Sequence, residues 1–302
     1  MSKKTIYLSE EIDEDCLDIL RGKYNIVSDF SNPEDIEGII TRQVKITEEI
    51  IESCPKLKII SDHGTGTDQI DLEAARRHGV KVTNTPGLNA QSVAELTLCL
   101  MLSLSYRVKY IDSGLKNSRF VRLGQKDLIG NELSGKKVGF IGSGCIAVRL
   151  KNILKTSFDC KTYAYNPHRD STYLREIGFI KIDNIEDIFT KMDYVTIHAP
   201  LTSETKNLIN KEVLDKSNPN LFVINTSRGE IINEKDLYNA LVDGKIRGAA
   251  LDVFEKEPPS SDNPLFTLDN FIGTMHVGGS SKESLKRVGE ATINNLINEL
   301  EK

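Results

Sequence analysis

Residues 138–147 read Val138-Gly-Phe-Ile-Gly142-Ser-Gly144-Cys-Ile-Ala147, an apolar run that breaks into a glycine-rich turn and reopens as a helix. The reading predicts a strand at Val138–Ile141 and a helix at Ile146–Phe158. In this G-x-G-x-x-A spacing the first glycine permits a tight turn and the second lets backbone approach a pyrophosphate. The small third residue lets the helix pack closely on the strand. The helix N-terminus adds unpaired amides and a positive dipole end, so the stretch is expected to hold phosphates. A second strand at Thr162–Tyr165 completes a βαβ unit and turns a weak motif into a dinucleotide-binding expectation. An acidic residue belongs about 20 residues on, where it would accept from a ribose 2′-hydroxyl. The chain instead has Asn166, followed by Pro167, His168 and Arg169. Asn166 can hydrogen-bond a hydroxyl without repelling a 2′-phosphate, and His168 or Arg169 can pair with one or belong to a solvated loop. NAD and NADP both stay open.

Outward from that turn, strand and helix alternate. Strands are expected at Tyr194–Ile197, Leu221–Asn225 and Ala249–Phe254, and helices at Glu204–Asp215 and Glu234–Gly244, a doubly wound parallel sheet. The N-terminal part repeats the alternation: strands Thr5–Leu8, Ile36–Thr41 and Leu57–Ser61, helices Asp13–Gly22, Thr47–Cys54 and Asp71–Gly79. Asn89–Arg107 reads as a long bridging helix with Val93, Leu96, Leu100, Met101 and Leu104 on one face. A final helix, Lys282–Leu300, lies beyond the last strand and is expected to pack back on the first domain. The Pro258–Ser261 cluster is a loop.

The 302 residues suffice for two domains at roughly 150 each. With 39 basic and 44 acidic residues the net charge is −5, no footprint for nucleic acid or an anionic membrane. The longest nearly unbroken apolar stretch, Leu96–Leu104, is far shorter than the roughly 20 residues of a membrane span. Lys3 and Lys4 precede only three apolar residues, so no signal peptide is read and a cytoplasmic protein is expected. Five scattered cysteines without C-x-x-C argue against a disulfide framework, and five histidines without an H-x-x-x-H pair against a metal site.

Three polar residues follow strand-like runs, where the C-terminal strand ends of an open α/β sheet face a ligand crevice. Arg228, after Leu221–Asn225, suits a bidentate grip on a carboxylate. Taken singly, Arg228 reads as an exposed loop arginine, Glu257 as a surface carboxylate and His276 as a core or loop histidine.

Together with Gly64-Thr-Gly-Thr-Asp-Gln-Ile-Asp71, Asn84-Thr-Pro-Gly-Leu-Asn-Ala-Gln-Ser-Val-Ala-Glu95, His198-Ala-Pro-Leu201, Asn225-Thr-Ser-Arg-Gly229, Ala250-Leu-Asp-Val-Phe254 with Glu257-Pro258, and His276-Val-Gly-Gly-Ser280, these residues make the chain resemble the D-isomer-specific 2-hydroxyacid dehydrogenases. Within that family it is most similar to phosphoglycerate dehydrogenases. The resemblance runs in family order over nearly the whole chain. It implies a Rossmann-type nucleotide domain (92–276) inserted in a flavodoxin-like substrate domain (1–91 and 277–302). It also implies an NAD- or NADP-dependent oxidoreductase acting at C2 of a small D-2-hydroxy or 2-oxo acid. By resemblance Arg228 holds the substrate carboxylate and polarises the 2-oxo group, His276 is the acid–base, and Glu257 hydrogen-bonds the imidazole. Cofactor contacts map onto Thr65, Gly142, Gly144, Cys145, Ile146, Asn166, Ala199, Thr226, Arg228, Asp252 and Gly279, with Asp252 on the nicotinamide carboxamide. Substrate contacts map onto Arg42, Gly64, Thr65 and Arg228. The set is chemically coherent, because negative charge developing on the carbonyl oxygen is neutralised by a proton from His276, and Glu257 favours the charged ring.

Asp62 and His63 stand where phosphoglycerate enzymes tend to have an arginine, which weakens the case for a phosphorylated substrate. The resemblance further implies a homodimer, with the Asn89–Arg107 helix a candidate interface, and the chain is read as carrying no appended regulatory domain. A nucleotide-sensing interaction protein, similar to the corepressors that share this fold, is the alternative of a different class. A formate dehydrogenase is disfavoured by Glu257, since those relatives pair histidine with glutamine.

Overall fold

A computed structural model of the chain describes residues 3–120 and 123–302. Its elements begin with β1 (Thr5–Leu8), α1 (Glu14–Lys23), β2 (Asn25–Val27), β3 (Ile36–Thr41), α2 (Glu48–Ser53), β4 (Ile59–Asp62), α3 (Leu72–Arg77), β5 (Lys81–Thr83), α4 (Ala90–Ser105) and α5 (Val108–Lys116). There follow β6 (Lys137–Ile141), α6 (Cys145–Phe158), β7 (Lys161–Tyr165), α7 (Ser171–Glu176), β8 (Ile180–Ile182), α8 (Ile185–Lys191), β9 (Tyr194–Ile197), α9 (Lys211–Asp215), β10 (Phe222–Asn225), α10 (Glu234–Val242), β11 (Gly248–Leu251), β12 (Phe271–Gly273) and α11 (Lys282–Leu300). The chain divides into two compact units, one formed by Met1–Ser92 and Gly279–Lys302 and the other by Val93–Gly278.

The first unit holds a five-stranded parallel sheet of order β2-β1-β3-β4-β5, the flavodoxin-like winding. Its faces are apolar on both sides. Ile39 and Ile60 pack with Ile46, Ile51 and Ala74 on one face. Ile6, Ile40 and Ile59 pack with Leu20, Ile293, Leu296 and Leu300 on the other, so α11 closes this sheet although it comes last in the chain. Asp13 and Asp71 cap α1 and α3, accepting from the Cys16 and Ala74 amides, and Ser281 caps α11 by accepting from Ser284.

The second unit holds a seven-stranded parallel sheet of order β12-β11-β10-β9-β6-β7-β8. Counted from β6, this is the Rossmann order 3-2-1-4-5-6 with one strand added at the edge. Its central strands alternate faces: Phe222 and Ile224 pack with Leu150 and Leu154 of α6 and with Met101 and Leu104 of α4, while Val223 packs with Leu237 of α10. Burial on both faces explains why the strands read as continuous apolar runs.

Two expected elements differ. The helix anticipated at Glu204–Asp215 exists only as Lys211–Asp215, capped by Asn210. Upstream, Thr205 Oγ1 accepts from the Thr202 amide and donates to the Pro200 carbonyl, side-chain competition that folds a turn in place of a helix. The strand anticipated at Ala249–Phe254 stops at Leu251, because the Asp252 side chain is taken up by loop amides.

Candidate active site

In the second unit, β6 runs into the glycine turn at the point where sheet order reverses, with β9 on one side and β7 on the other. Gly142 has φ +95°, and a Cβ there would stand 2.5 Å from the His198 carbonyl oxygen, so only glycine fits. Around Gly144 a Cβ would meet nothing within 4 Å, and Gly144 is also the N-cap of α6. Cys145 and Ile146 open that helix, and Ala147 is fully buried against β6. Asn166, after β7, donates from Nδ2 to Ser143 Oγ at 2.9 Å and accepts the His168 amide at 3.1 Å. Its amide oxygen is thereby oriented by both neighbours. An uncluttered turn, a helix N-terminus and a fixed acceptor after β7 fit the phosphates and ribose of a dinucleotide.

After β10, the fully buried Asn225 ties its own turn, donating to the Arg228 carbonyl (2.8 Å) and accepting the Ser227 amide (3.0 Å). Ser227 Oγ donates to the Ala199 carbonyl. The Thr226 hydroxyl pairs with Thr97 Oγ1 at 3.0 Å. Arg228 donates to the Ser227 carbonyl and lies close enough to Glu257 to stabilise that carboxylate. This approach depends on Gly229, where a Cβ would fall 1.9 Å from the Phe254 carbonyl carbon.

Glu257 Oε2 and His276 Nδ1 are 2.7 Å apart, with the side chains 34% and 35% exposed. Glu257 Oε1 accepts the Phe254 amide, which fixes the carboxylate's second oxygen. Burial alone would raise the Glu257 carboxyl. The His276 hydrogen bond and charge, the Phe254 amide and Arg228 outweigh it and hold the carboxyl below its ordinary value. His276 occupies the left-handed region, φ 48°. The loop is held there by Asp252, 1% exposed, whose carbonyl accepts the His276 amide. Its carboxylate accepts from Thr274 Oγ1 (2.6 Å), the Val277 amide (2.9 Å) and the Gly278 amide (2.8 Å).

The remaining sequence candidates lie in the first unit. Thr65 Oγ1 donates to Asn89 Oδ1 at 3.1 Å, and Arg42 Nη2 donates to Ser280 Oγ at 2.9 Å. A Cβ on Gly279 would lie 3.4 Å from Asn89 Nδ2 and 3.6 Å from Arg42 Nη2, so Arg42, Thr65 and Gly279 share one polar corner. Gly64 follows the buried Asp62 and His63; Asp62 binds Gln69, and burial pushes His63 down to about 4, with Arg42 adding to the effect. Glu10 carries the Arg42 turn, accepting from the amides of Arg42, Gln43 and Val44. Sequence reading passed over Glu10, which lies outside every quoted motif, and over Asn89, Ser280 and Asn225, which lie inside them but show their roles only as hydrogen bonds. Elsewhere among the described residues, Glu48, Glu52 and His78 bring ligand atoms within 4.8 Å of one another, with Glu48 already ion-paired to Arg77.

Residues 98–278 match the family model described as D-isomer specific 2-hydroxyacid dehydrogenase, NAD binding domain. The chain is 38% identical over 293 residues to D-3-phosphoglycerate dehydrogenase of Methanocaldococcus jannaschii, which covers 94% of this chain and 55% of that protein. The chain thus spans about half the length of that relative. It is 34% identical to hydroxypyruvate reductase of Thermotoga maritima, over 99% of both chains. Among solved structures it superposes on an NADPH-dependent glyoxylate/hydroxypyruvate reductase from Sinorhizobium meliloti, in complex with NADP and malonate. That match has a TM-score of 0.85 and 26% identity, and covers 98% of this chain and 93% of the other.

Proposed function

The chain belongs to the D-isomer specific 2-hydroxyacid dehydrogenase family, and from that premise we propose that it is an oxidoreductase moving hydride between a nicotinamide cofactor and C2 of a small 2-oxo or 2-hydroxy acid. The observation that carries the reading is the 2.7 Å contact of His276 with Glu257, beside Arg228, at the strand ends of a nucleotide-type sheet. NADH or NADPH supplies the hydride when bound. Gly142, Gly144, Cys145 and Ile146 receive its phosphates, Asn166 its ribose, and Ala199, Thr226 and Asp252 its nicotinamide end, with Thr65 and Gly279 as further contacts.

Arg228 grips the substrate carboxylate and draws charge toward the 2-oxo oxygen through a planar, permanently charged fork. His276, with Nδ1 committed to Glu257, presents Nε2 as the group that gives a proton to that oxygen in reduction and takes it in oxidation. Glu257, held ionised, keeps the ring in that tautomer. Asp252, through its three side-chain acceptor bonds, is the positioning residue of the His276 loop. By family resemblance, Arg42, Gly64 and Thr65 of the first unit are further substrate-contact residues.

Asp62, buried at 1% exposure and 3.0 Å from where a Gly64 Cβ would stand, puts a carboxylate beside the substrate loop. That charge favours an unphosphorylated acid. We propose further that the protein is cytoplasmic, binds no nucleic acid, and forms a homodimer through α4. An apolar groove of about 430 Å³ lined by Leu98, Cys99, Leu102 and Tyr106 supports the interface. No helix among the described residues is long and apolar enough to cross a membrane. The test is a panel of hydroxypyruvate, glyoxylate, pyruvate and 3-phosphohydroxypyruvate, each with NADH and NADPH. Turnover is expected with the unphosphorylated acids. Absence of turnover with all four would overturn the reading, and preference for the phosphorylated acid would overturn its substrate class.

A further inference from the structure

The loops after β7 and β9 flank the glycine turn, and one side-chain pair joins them: His168 Nε2 lies 2.9 Å from Glu204 Oε2. Glu204 is not loosely placed. Its turn is tied by Thr205 Oγ1 to the Thr202 amide and the Pro200 carbonyl, and by the Lys206 amide to the Thr202 carbonyl. His168 is equally fixed, because its amide donates to Asn166 Oδ1 while Asn166 Nδ2 reaches back to Ser143 on the glycine turn. The guanidinium of this corner, that of Arg169, stacks on Tyr173 with its central carbon 4.7 Å from the ring centroid. The end of β7 therefore offers a ribose hydroxyl the Asn166 side-chain carbonyl, and it offers a 2′-phosphate an imidazole already joined to a carboxylate and a guanidinium already stacked on a ring.

We propose that Glu204 is the residue that discriminates between the two nicotinamide cofactors, selecting NAD(H) over NADP(H) from a loop outside the ribose-binding turn. The inference rests on the dinucleotide reading of this sheet. A phosphate monoester carries about −1.5 to −2 charges near neutrality. At the ribose 2′ position it must either displace Glu204 from His168 or lie beside the Glu204 carboxylate, and both weaken its binding. The side chains of His168 and Glu204 are 72% and 66% exposed, so a group arriving from solvent meets the pair directly. Asn166 removes the carboxylate usual after the second strand, and Glu204 returns a negative charge to the same corner by way of β9.

The experiment titrates the intact protein with adenosine 2′,5′-bisphosphate and with adenosine 5′-monophosphate, for wild type, Glu204→Gln and Glu204→Ala. Both variants are expected to raise relative affinity for the bisphosphate at least fivefold, and the NADPH-to-NADH ratio of kcat/KM should follow through the KM for NADPH. A change below fivefold in both variants would overturn the inference. Because nucleotide binding needs no turnover, the two readings fail separately. A shifted binding ratio without reduction of any 2-oxo acid supports this inference and removes the proposed reaction, whereas reduction with an unmoved ratio does the reverse.

Discussion

Asp252 and Arg228 carry the residue-scale predictions. A histidine at φ 48° is held against a backbone preference of order 1–3 kcal/mol, and the Asp252 carboxylate supplies the opposing bonds to Thr274, Val277 and Gly278. Asp252→Ala is therefore expected to lower kcat roughly 100-fold, while affinity for adenosine 5′-monophosphate stays within a few-fold. Steady-state kinetics beside nucleotide titration checks this; unchanged kcat would remove Asp252 from the positioning role. Arg228→Lys keeps the charge and loses the fork, so kcat/KM for any 2-oxo acid should fall about 10- to 100-fold. Near-normal activity in that variant would mean that the carboxylate clamp lies elsewhere. Of these residues, Arg228 drew notice from its place after an apolar strand, but its role, too, came from the family resemblance, since alone it reads as an exposed loop arginine. The partnership of Glu257 with His276, 19 residues apart, has no periodic signature and came into view only through the family resemblance. The acceptor bonds of Asp252 are made by a loop whose path no local pattern encodes.

Elements with long apolar runs or strong caps were legible, and short ones were not. α11 was expected at Lys282–Leu300 and has those ends, because Ser281 caps it and Val288, Ile293, Leu296 and Leu300 recur at helical spacing. By contrast β2, β5, β8 and β12 are three residues each and only partly buried, too short for periodicity to mark them. At 204–215 helical propensity misled, since Thr202 and Thr205 hydroxyls satisfy the backbone locally. A prediction at this scale concerns the turn from β10 to the Arg228 loop. Gly229→Ala drives a Cβ into the Phe254 carbonyl carbon, so the turn must shift at a cost of about 3 kcal/mol, with activity falling alongside. Chemical denaturation of the variant against wild type checks it; a loss below about 1 kcal/mol would show that the turn gives way easily.

At the scale of the whole molecule, the doubly wound parallel class was legible from strand alternation and the glycine turn, but the strand order was not, because the edge strands β2, β5, β8 and β12 carry no readable pattern. α11 was expected to pack back on the first domain, and the division of that domain across both termini came with the family resemblance. Each unit also buries a histidine. Burial lowers His63 from 6.5 to about 4 and His198 to about 3. Both stay neutral in the fold while an unfolded chain protonates them near 6.5, so their stabilisation is complete above that pH and is lost as pH falls below it. At pH 5 each costs about 2 kcal/mol relative to neutrality. Glu257, held below its ordinary carboxyl value, acts in the same direction at lower pH. Urea unfolding at pH 7.5 and 5 should show the loss, and His63→Gln should shrink it; equal midpoints would contradict the assignment. The central claim, that His276 exchanges the proton accompanying hydride transfer, is tested most directly by kcat/KM against pH in both directions with one oxo acid and its hydroxy acid, for wild type and His276→Ala. Reduction needs the charged ring and oxidation the neutral one, so the account predicts opposite slopes through a single ionisation, and a loss of about 10²- to 10⁴-fold in both directions in the variant. Parallel profiles, or a variant that keeps its activity, would contradict it.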